Sequence, residues 1–168
     1  MIPRRVRVPL LMLGVLVLHV AVLTRFTAAG VRPDILVLVA VTAGLTGGAE
    51  RGATVGFTVG LLGDLFVETP LGLSALSFCM VGFVVGVLQG NILRATWWIA
   101  PATAFVASGA GVALYALVAA VVGRTGALRP ELALIALVVA TVNAGVAVPM
   151  LRVTTWAFVD GHPERAYA

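Results

Sequence analysis

The stretch "GLTGGAERGATVGFTVGLLGDL", residues 44–65, decides how often this chain reverses direction. Its glycines recur at every fourth residue from 44 to 60, and the charged pair Glu50 and Arg51 interrupts its apolar residues. A single helix over 35–67 would be about 50 Å long at ~1.5 Å per residue, with the charged pair at its centre. The hydrocarbon core of a bilayer is only ~30 Å thick. The sequence therefore predicts two short helices joined by a turn at "GGAERG".

The whole chain shares the apolar character of this stretch. Of 168 residues, 61% are hydrophobic and 11% are charged, and the mean hydropathy is +1.11. Soluble domains carry roughly 25% charged residues. The net charge of +4 comes from eleven arginines spread over short gaps, whereas nucleic acid binding requires a clustered basic face. We expect an all-α integral membrane protein of one domain, 1–168, that does not bind nucleic acid.

Six apolar segments predict six transmembrane helices, at about 8–24, 34–49, 52–67, 71–93, 96–122 and 132–156, followed by a short cytoplasmic tail at 157–168. Short cytoplasmic loops collect positive residues. With six spans and the N-terminus inside, seven arginines are cytoplasmic and four are external. Five spans would give an even division and leave Arg51 in lipid. We therefore expect a multi-pass protein of the cell membrane with both termini cytoplasmic.

Two of the predicted helices carry a face of small residues. Residues four apart lie on one side of a helix, and small residues let helices pack closely in lipid. The third and fourth spans should therefore pack through their glycines, which are Gly52, Gly56, Gly60, Gly82 and Gly86. Packing within the chain and docking of another protein's helix both remain open.

Asp64 lies four residues after Gly60, and so near the glycine face and away from lipid. An ionisable residue within a span is a functional hypothesis by default. We hypothesise that Arg32 pairs with Asp64 at the outer face. The alternative is that Asp64 meets water or the amides of an outer loop.

Turn and helix-start residues surround Asp64 in the predicted topology. Pro33 suits the first turn of the second helix, and Asp34 complements that helix's positive end. Pro70 and Gly72 mark the turn into the fourth helix. Isolated polar residues also occur within the spans, namely His19, Thr42, Thr103, Ser108 and Asn143. Asn143 is more typical of a packing amide than of a ligand contact.

Residue patterns typical of catalysis do not occur in this sequence. The two histidines, His19 and His162, belong to no HExxH motif, and there is no glycine-rich phosphate loop. The single cysteine, Cys79, has no metal-ligand spacing. We expect no enzymatic activity, no cofactor and no metal.

The stretch "RPDILVLVAVTAGLTGGAERGATVGFTVGLLGDLFVETPLGLSAL", Arg32 to Leu76, resembles the MreD family of rod shape-determining proteins. The resemblance implies a scaffold of the bacterial inner membrane, similar in fold to the substrate-capture subunits of energy-coupling-factor vitamin transporters. It implies MreC as a direct partner, links to MreB, RodA and a class B penicillin-binding protein, and a role in peptidoglycan synthesis and cell shape. The positions that carry the resemblance form an outer-face network of Arg32, Pro33, Asp34, Asp64, Pro70 and Gly72.

A vitamin-capture subunit is the alternative function. Such a protein should offer convergent polar and aromatic groups in an outer pocket. Aromatic residues make up only 7% of this chain, and Trp97 and Trp98 fall near the predicted inner interface. The sequence therefore favours the scaffold.

Overall fold

The computed structural model describes residues 4–25, 34–66, 70–92, 98–124 and 131–158, and the regular structure in these ranges is helical. The helices are α1 (Arg4–Arg25), α2 (Leu36–Asp64), α3 (Leu73–Ile92), α4 (Ile99–Val121) and α5 (Glu131–Phe158). By length and composition, α4 and α5 could each cross a membrane, and shorter apolar runs occupy Val6–His19 and Leu73–Gln89. The prediction of an all-α fold is confirmed, whereas the six crossings stay a prediction.

Helix α2 is a hairpin that turns back on itself at Gly48. That residue has φ 77° and ψ −172°, a left-handed backbone that glycine adopts without steric penalty. A Cβ added to Gly56 would lie 3.1 Å from Cβ of Ala40, and one added to Gly52 would lie 2.9 Å from Cα of Gly44. Residues 49–64, the second arm, therefore run back along residues 36–47, the first arm. The reversal lies within the predicted "GGAERG" turn.

The backbone of α3 lies directly against both arms of this hairpin. A Cβ on Gly44 would lie 2.6 Å from the carbonyl oxygen of Gly82 and 3.1 Å from the amide nitrogen of Gly86. A Cβ on Gly52 would lie 2.6 Å from the carbonyl carbon of Gly82. We call Gly44, Gly52, Gly82 and Gly86 the glycine junction. The two arms of the hairpin and α3 touch there with no room for any side chain.

The first arm is the centre of the molecule. Leu38, Val39, Ala40 and Val41 have no accessible surface, and a helix that is hydrophobic all round is a buried one. The second arm and α3 cover one side of it. Helix α2 as a whole also contacts α1, α4 and α5.

The tip of the hairpin lies beside the start of α1 and the end of α5. Nη1 of Arg7 donates a hydrogen bond to the carbonyl of Trp156 at 3.0 Å, and its guanidinium lies 5.8 Å from the indole centroid. The guanidinium of Arg51 lies 5.4 Å from the ring centroid of Phe158. We call this the basic end of the fold. The hairpin starts at Asp34 and finishes at Asp64, and both residues lie at the end of the arms that is farthest from the basic end.

Candidate functional site

Asp64 caps the helix that follows it. Its carboxylate accepts hydrogen bonds from the backbone N–H groups of Gly72 at 2.8 Å, Ser74 at 3.2 Å and Ala75 at 3.4 Å. The first N–H groups of a helix have no partner within it, and a negative charge is stabilised at that terminus. Asp64 is 2% exposed. It therefore joins the end of the second arm to the start of α3.

The turn between the second arm and α3 requires a glycine and is closed by local backbone hydrogen bonds. Gly72 has φ 101°, in the left-handed region that favours glycine. The N–H of Leu73 donates to the carbonyl of Pro70 at 3.4 Å, and that of Leu76 donates to the carbonyl of Gly72 at 2.9 Å. Pro70 itself is exposed.

Four of the six predicted outer-face residues, Asp34, Asp64, Pro70 and Gly72, thus lie at one end of the hairpin. Arg32 and Pro33 lie outside the described residues. The pairing of Arg32 with Asp64 therefore stays a prediction. The contacts that the structure describes for Asp64 are backbone amides.

Asn143 connects three other parts of the chain. It is 0% exposed, and its Nδ2 donates to the carbonyl oxygen of Asp34 at 2.9 Å and to Oγ of Ser108 at 2.9 Å. Oδ1 of Asp34 accepts the N–H of Leu36 at 2.9 Å and lies 3.7 Å from Nδ1 of His19. We call His19, Asp34, Ser108 and Asn143 the junction cluster. It brings together α1, the start of α2, α4 and α5.

The sequence indicated His19, Ser108 and Asn143 as isolated polar residues, whereas the structure brings them together. The prediction of a packing amide at Asn143 agrees with its two hydrogen bonds across helices. Each of the three residues lies on a different helix, and hydropathy does not say which helices are neighbours. The available signal was weaker, namely that a polar residue in an apolar span tends to face protein and to find a polar partner.

Two buried atoms of the cluster have open hydrogen-bonding capacity within the described residues. These are Oδ1 of Asn143 and Nδ1 of His19. A buried polar atom without a partner costs ~1–3 kcal/mol. The side chain of Asp34 is 36% exposed, so the cluster reaches the surface at that point. No group of three or more His, Cys, Asp or Glu side chains among the described residues is placed to hold a metal ion.

The cluster lies near the middle of the α4–α5 pair. Asn143 is twelve residues after Glu131, the start of α5, which corresponds to about 18 Å along the helix. Ser108 is thirteen residues before Val121, the end of α4, or about 20 Å. The cluster is nevertheless at the extreme end of the first arm. Both α4 and α5 therefore continue well past the hairpin.

The predicted glycine faces are occupied within the chain. A Cβ on Gly60 would lie 2.6 Å from Cα of Ala75, and one on Gly56 would lie 2.7 Å from the carbonyl carbon of Phe78. All five predicted glycines meet backbone of a neighbouring helix or hairpin arm. Another protein's helix cannot reach these faces while α2 and α3 are packed together.

Two clefts open elsewhere on the described surface. A groove of about 720 Å³ between α3 and α4 is lined by apolar side chains, Thr103 excepted. A cleft of about 440 Å³ at the basic end lies among α1, the second arm and Phe158, and it includes Glu50 and Arg51. The first groove offers no polar group beyond one hydroxyl to orient a polar ligand.

Helices that pack through bare backbone, apolar outer faces and polar groups gathered into buried clusters define this chain as a helical membrane protein. No curated protein and no solved structure matches the chain. Residues 4–142 match the family model of the rod shape-determining protein MreD. The chain belongs to the MreD family, and its role is therefore in rod shape determination.

Proposed function

We propose that this chain is a non-enzymatic scaffold of the cell-elongation machinery in the bacterial inner membrane, where it binds MreC and helps to control peptidoglycan synthesis. The family match over 4–142 carries the proposal. The described polar side chains support it, because Asp64 and Asn143 hold helices together. MreB, RodA and a class B penicillin-binding protein are the further partners that this role implies.

We also propose six membrane crossings with both termini in the cytoplasm. The reversal at Gly48 supports two crossings by α2, and Arg7, Arg51 and Trp156 at the basic end support a cytoplasmic location for that end. The arms of 12 and 16 residues would be about 18 and 24 Å long. Arms this short require the bilayer or the flanking loops to adapt around the hairpin.

At the opposite, outer end, we assign the network of Arg32, Pro33, Asp34, Asp64, Pro70 and Gly72 a structural role. Asp64 and Gly72 join the second arm to α3. Asp34 joins the first arm to α5 through its carbonyl oxygen. A rigid outer end of this kind would hold a constant surface toward a partner. Because the glycine faces are filled, we expect MreC to contact other surfaces of the chain.

Replacement of the native protein in its own cells tests the proposal. The chain, tagged at its C-terminus, is expressed while the native copy is depleted, and cell width and the proteins recovered with the tag are measured. We expect rod shape to be maintained and MreC to be recovered. Gly109→Ala, expressed in the same way, is the control for a substitution without structural effect, because a Cβ there would meet nothing within 4 Å. It should give the same cell width and the same recovery of MreC.

Two results would contradict the scaffold. One is loss of MreC from the purified material while the protein itself is folded and abundant. The other is recovery of a vitamin together with an ATPase module, which would support the alternative of a capture subunit.

A further inference from the structure

We propose that the junction cluster is a binding site for a cationic hydrogen-bond donor, an ammonium or guanidinium group, that comes from outside this chain. The proposal rests on the proposed orientation, because the group would enter from the outer end, where Asp34 is partly exposed. It adds to the scaffold function a ligand chemistry that the family match does not specify.

The open atoms of the cluster are the first argument. Asn143 and His19 are 0% and 5% exposed, and one side-chain atom of each has no hydrogen-bond partner within the described chain. An amide oxygen accepts only, and an imidazole Nδ1 accepts when Nε2 carries the proton. Nδ1 of His19 points toward Asp34, at 3.7 Å from its Oδ1. With its proton on Nε2, His19 offers an acceptor in addition to Oδ1 of Asn143, and an N–H donor from outside the chain would then satisfy both atoms.

The charge around the cluster is the second argument. The carboxylate of Asp34 belongs to it. Asp64 accepts hydrogen bonds from three N–H groups, whereas the hydrogen bond described for the side chain of Asp34 comes from one N–H group, that of Leu36. His19 is the titratable group that faces Asp34. With a neutral His19, a water molecule could donate hydrogen bonds here but would leave the carboxylate charge uncompensated. A cationic donor supplies both hydrogen bonds and charge.

The acceptor groups of the junction cluster also determine which kind of cation would fit. A bound metal would need several carboxylate, imidazole or thiolate ligands at one point, and no such group of three occurs among the described residues. An amide oxygen, an imidazole nitrogen and one carboxylate are instead directional acceptors, suited to the separate N–H groups of an ammonium or guanidinium ion. Access is provided by Asp34, since 36% of its side chain is exposed.

Chemical modification of Asp34 tests the proposal on the full chain in native membranes. A water-soluble carbodiimide with glycine ethyl ester modifies accessible carboxyl groups, and peptide mass spectrometry locates the modified sites. We expect Asp34 to react while Asp64, which is 2% exposed, does not. Methylguanidinium or methylammonium chloride should slow modification of Asp34 by about tenfold when the site is nearly saturated. Methylurea and sodium chloride at equal concentrations are the controls and should not slow it.

Variants of the unpaired amide connect this protection to the cluster. Asn143→Leu removes the acceptor and should abolish protection. His19→Leu keeps both hydrogen bonds of Asn143 and removes the second acceptor, so it should weaken protection and tests the site even if the leucine variant at residue 143 does not fold. Gln89→Leu removes an amide near the hairpin tip, where Oε1 of Gln89 lies 3.6 Å from a Cβ built on Gly48, and should leave protection unchanged.

Further measurements identify the source of the cation. Protection of Asp34 in the complex purified with MreC, without added amine, would assign the cation to a partner's basic side chain. Protection by added amines alone would assign it to a soluble amine. The proposal is overturned if Asp34 does not react, if methylurea protects as well as methylguanidinium, or if protection appears only in Arg32→Gln, since Arg32 would then fill the site. Recovery of MreC is scored separately, so the scaffold function can stand or fail independently.

Discussion

Alanine at Gly52 should separate the hairpin from α3. The added Cβ would lie 2.6 Å from the carbonyl carbon of Gly82 and 2.9 Å from Cα of Gly44, whereas ordinary contact begins at 3.4 Å. These neighbours are backbone atoms, so no rotamer change can relieve the clash. The carbonyl oxygen of Gly82 lies closer still, so the helices must move apart by at least about 0.8 Å, the difference between 2.6 and 3.4 Å, and a gap of that size forfeits roughly a quarter to a half of each dispersion contact. We expect a loss of about 1–3 kcal/mol in the free energy of unfolding.

Reversible unfolding by sodium dodecyl sulfate in mixed micelles, followed by circular dichroism, measures this loss. Gly145→Ala on α5 is the matched control, since a Cβ at that position would meet nothing within 4 Å. We expect the control to stay within about 0.5 kcal/mol of the wild type. Equal stability of Gly52→Ala and Gly145→Ala would refute the close backbone contact at the glycine junction.

Three further substitutions probe the cap, the reversal and the basic end. Asp64→Ala should lower the free energy of unfolding by about 2 kcal/mol, the upper range for loss of a helix cap, and Asp64→Asn by less; an unaffected alanine variant would exclude the capping role. Gly48→Ala should cost about 1–3 kcal/mol in the same assay, because φ 77° with ψ −172° is a conformation essentially confined to glycine; an alanine variant as stable as the wild type would argue against this backbone at the reversal. Arg7→Gln should lower stability by under about 1 kcal/mol and alter the fluorescence of Trp156, which an Arg7 remote from the indole would not do.

The hairpin could be predicted from sequence because its cause is local. The four-residue glycine spacing and the pair Glu50 and Arg51 together made one long helix physically unreasonable, and the reversal falls inside the expected turn. Hydropathy also indicated the helices, although the described ends of α2 and α5 differ from the predicted spans by a few residues. Such ends depend on caps and packing more than on composition.

The junction cluster could not be predicted, because it depends on which helices are neighbours. Asn143 and Asp34 are 109 residues apart in sequence yet 2.9 Å apart in space. For Asp64, the sequence suggested Arg32 as a charged partner and left water or the amides of an outer loop as the alternative. The start of α3, eight residues downstream, supplies N–H groups that no residue type reveals.

The glycine junction has a consequence for the way this protein enters the membrane. An arm of 12 residues is shorter than the ~20 that a translocon recognises as an independent span, and the charged pair at the tip makes lateral release of one arm alone unfavourable. Both arms should therefore leave the translocon together and stay beside it until α3 emerges, since the hairpin's small-residue face has no large side chains to shield it from lipid. Biogenesis would then proceed by a three-helix unit, with Asp64 closing that unit once residues 72–75 have been synthesised.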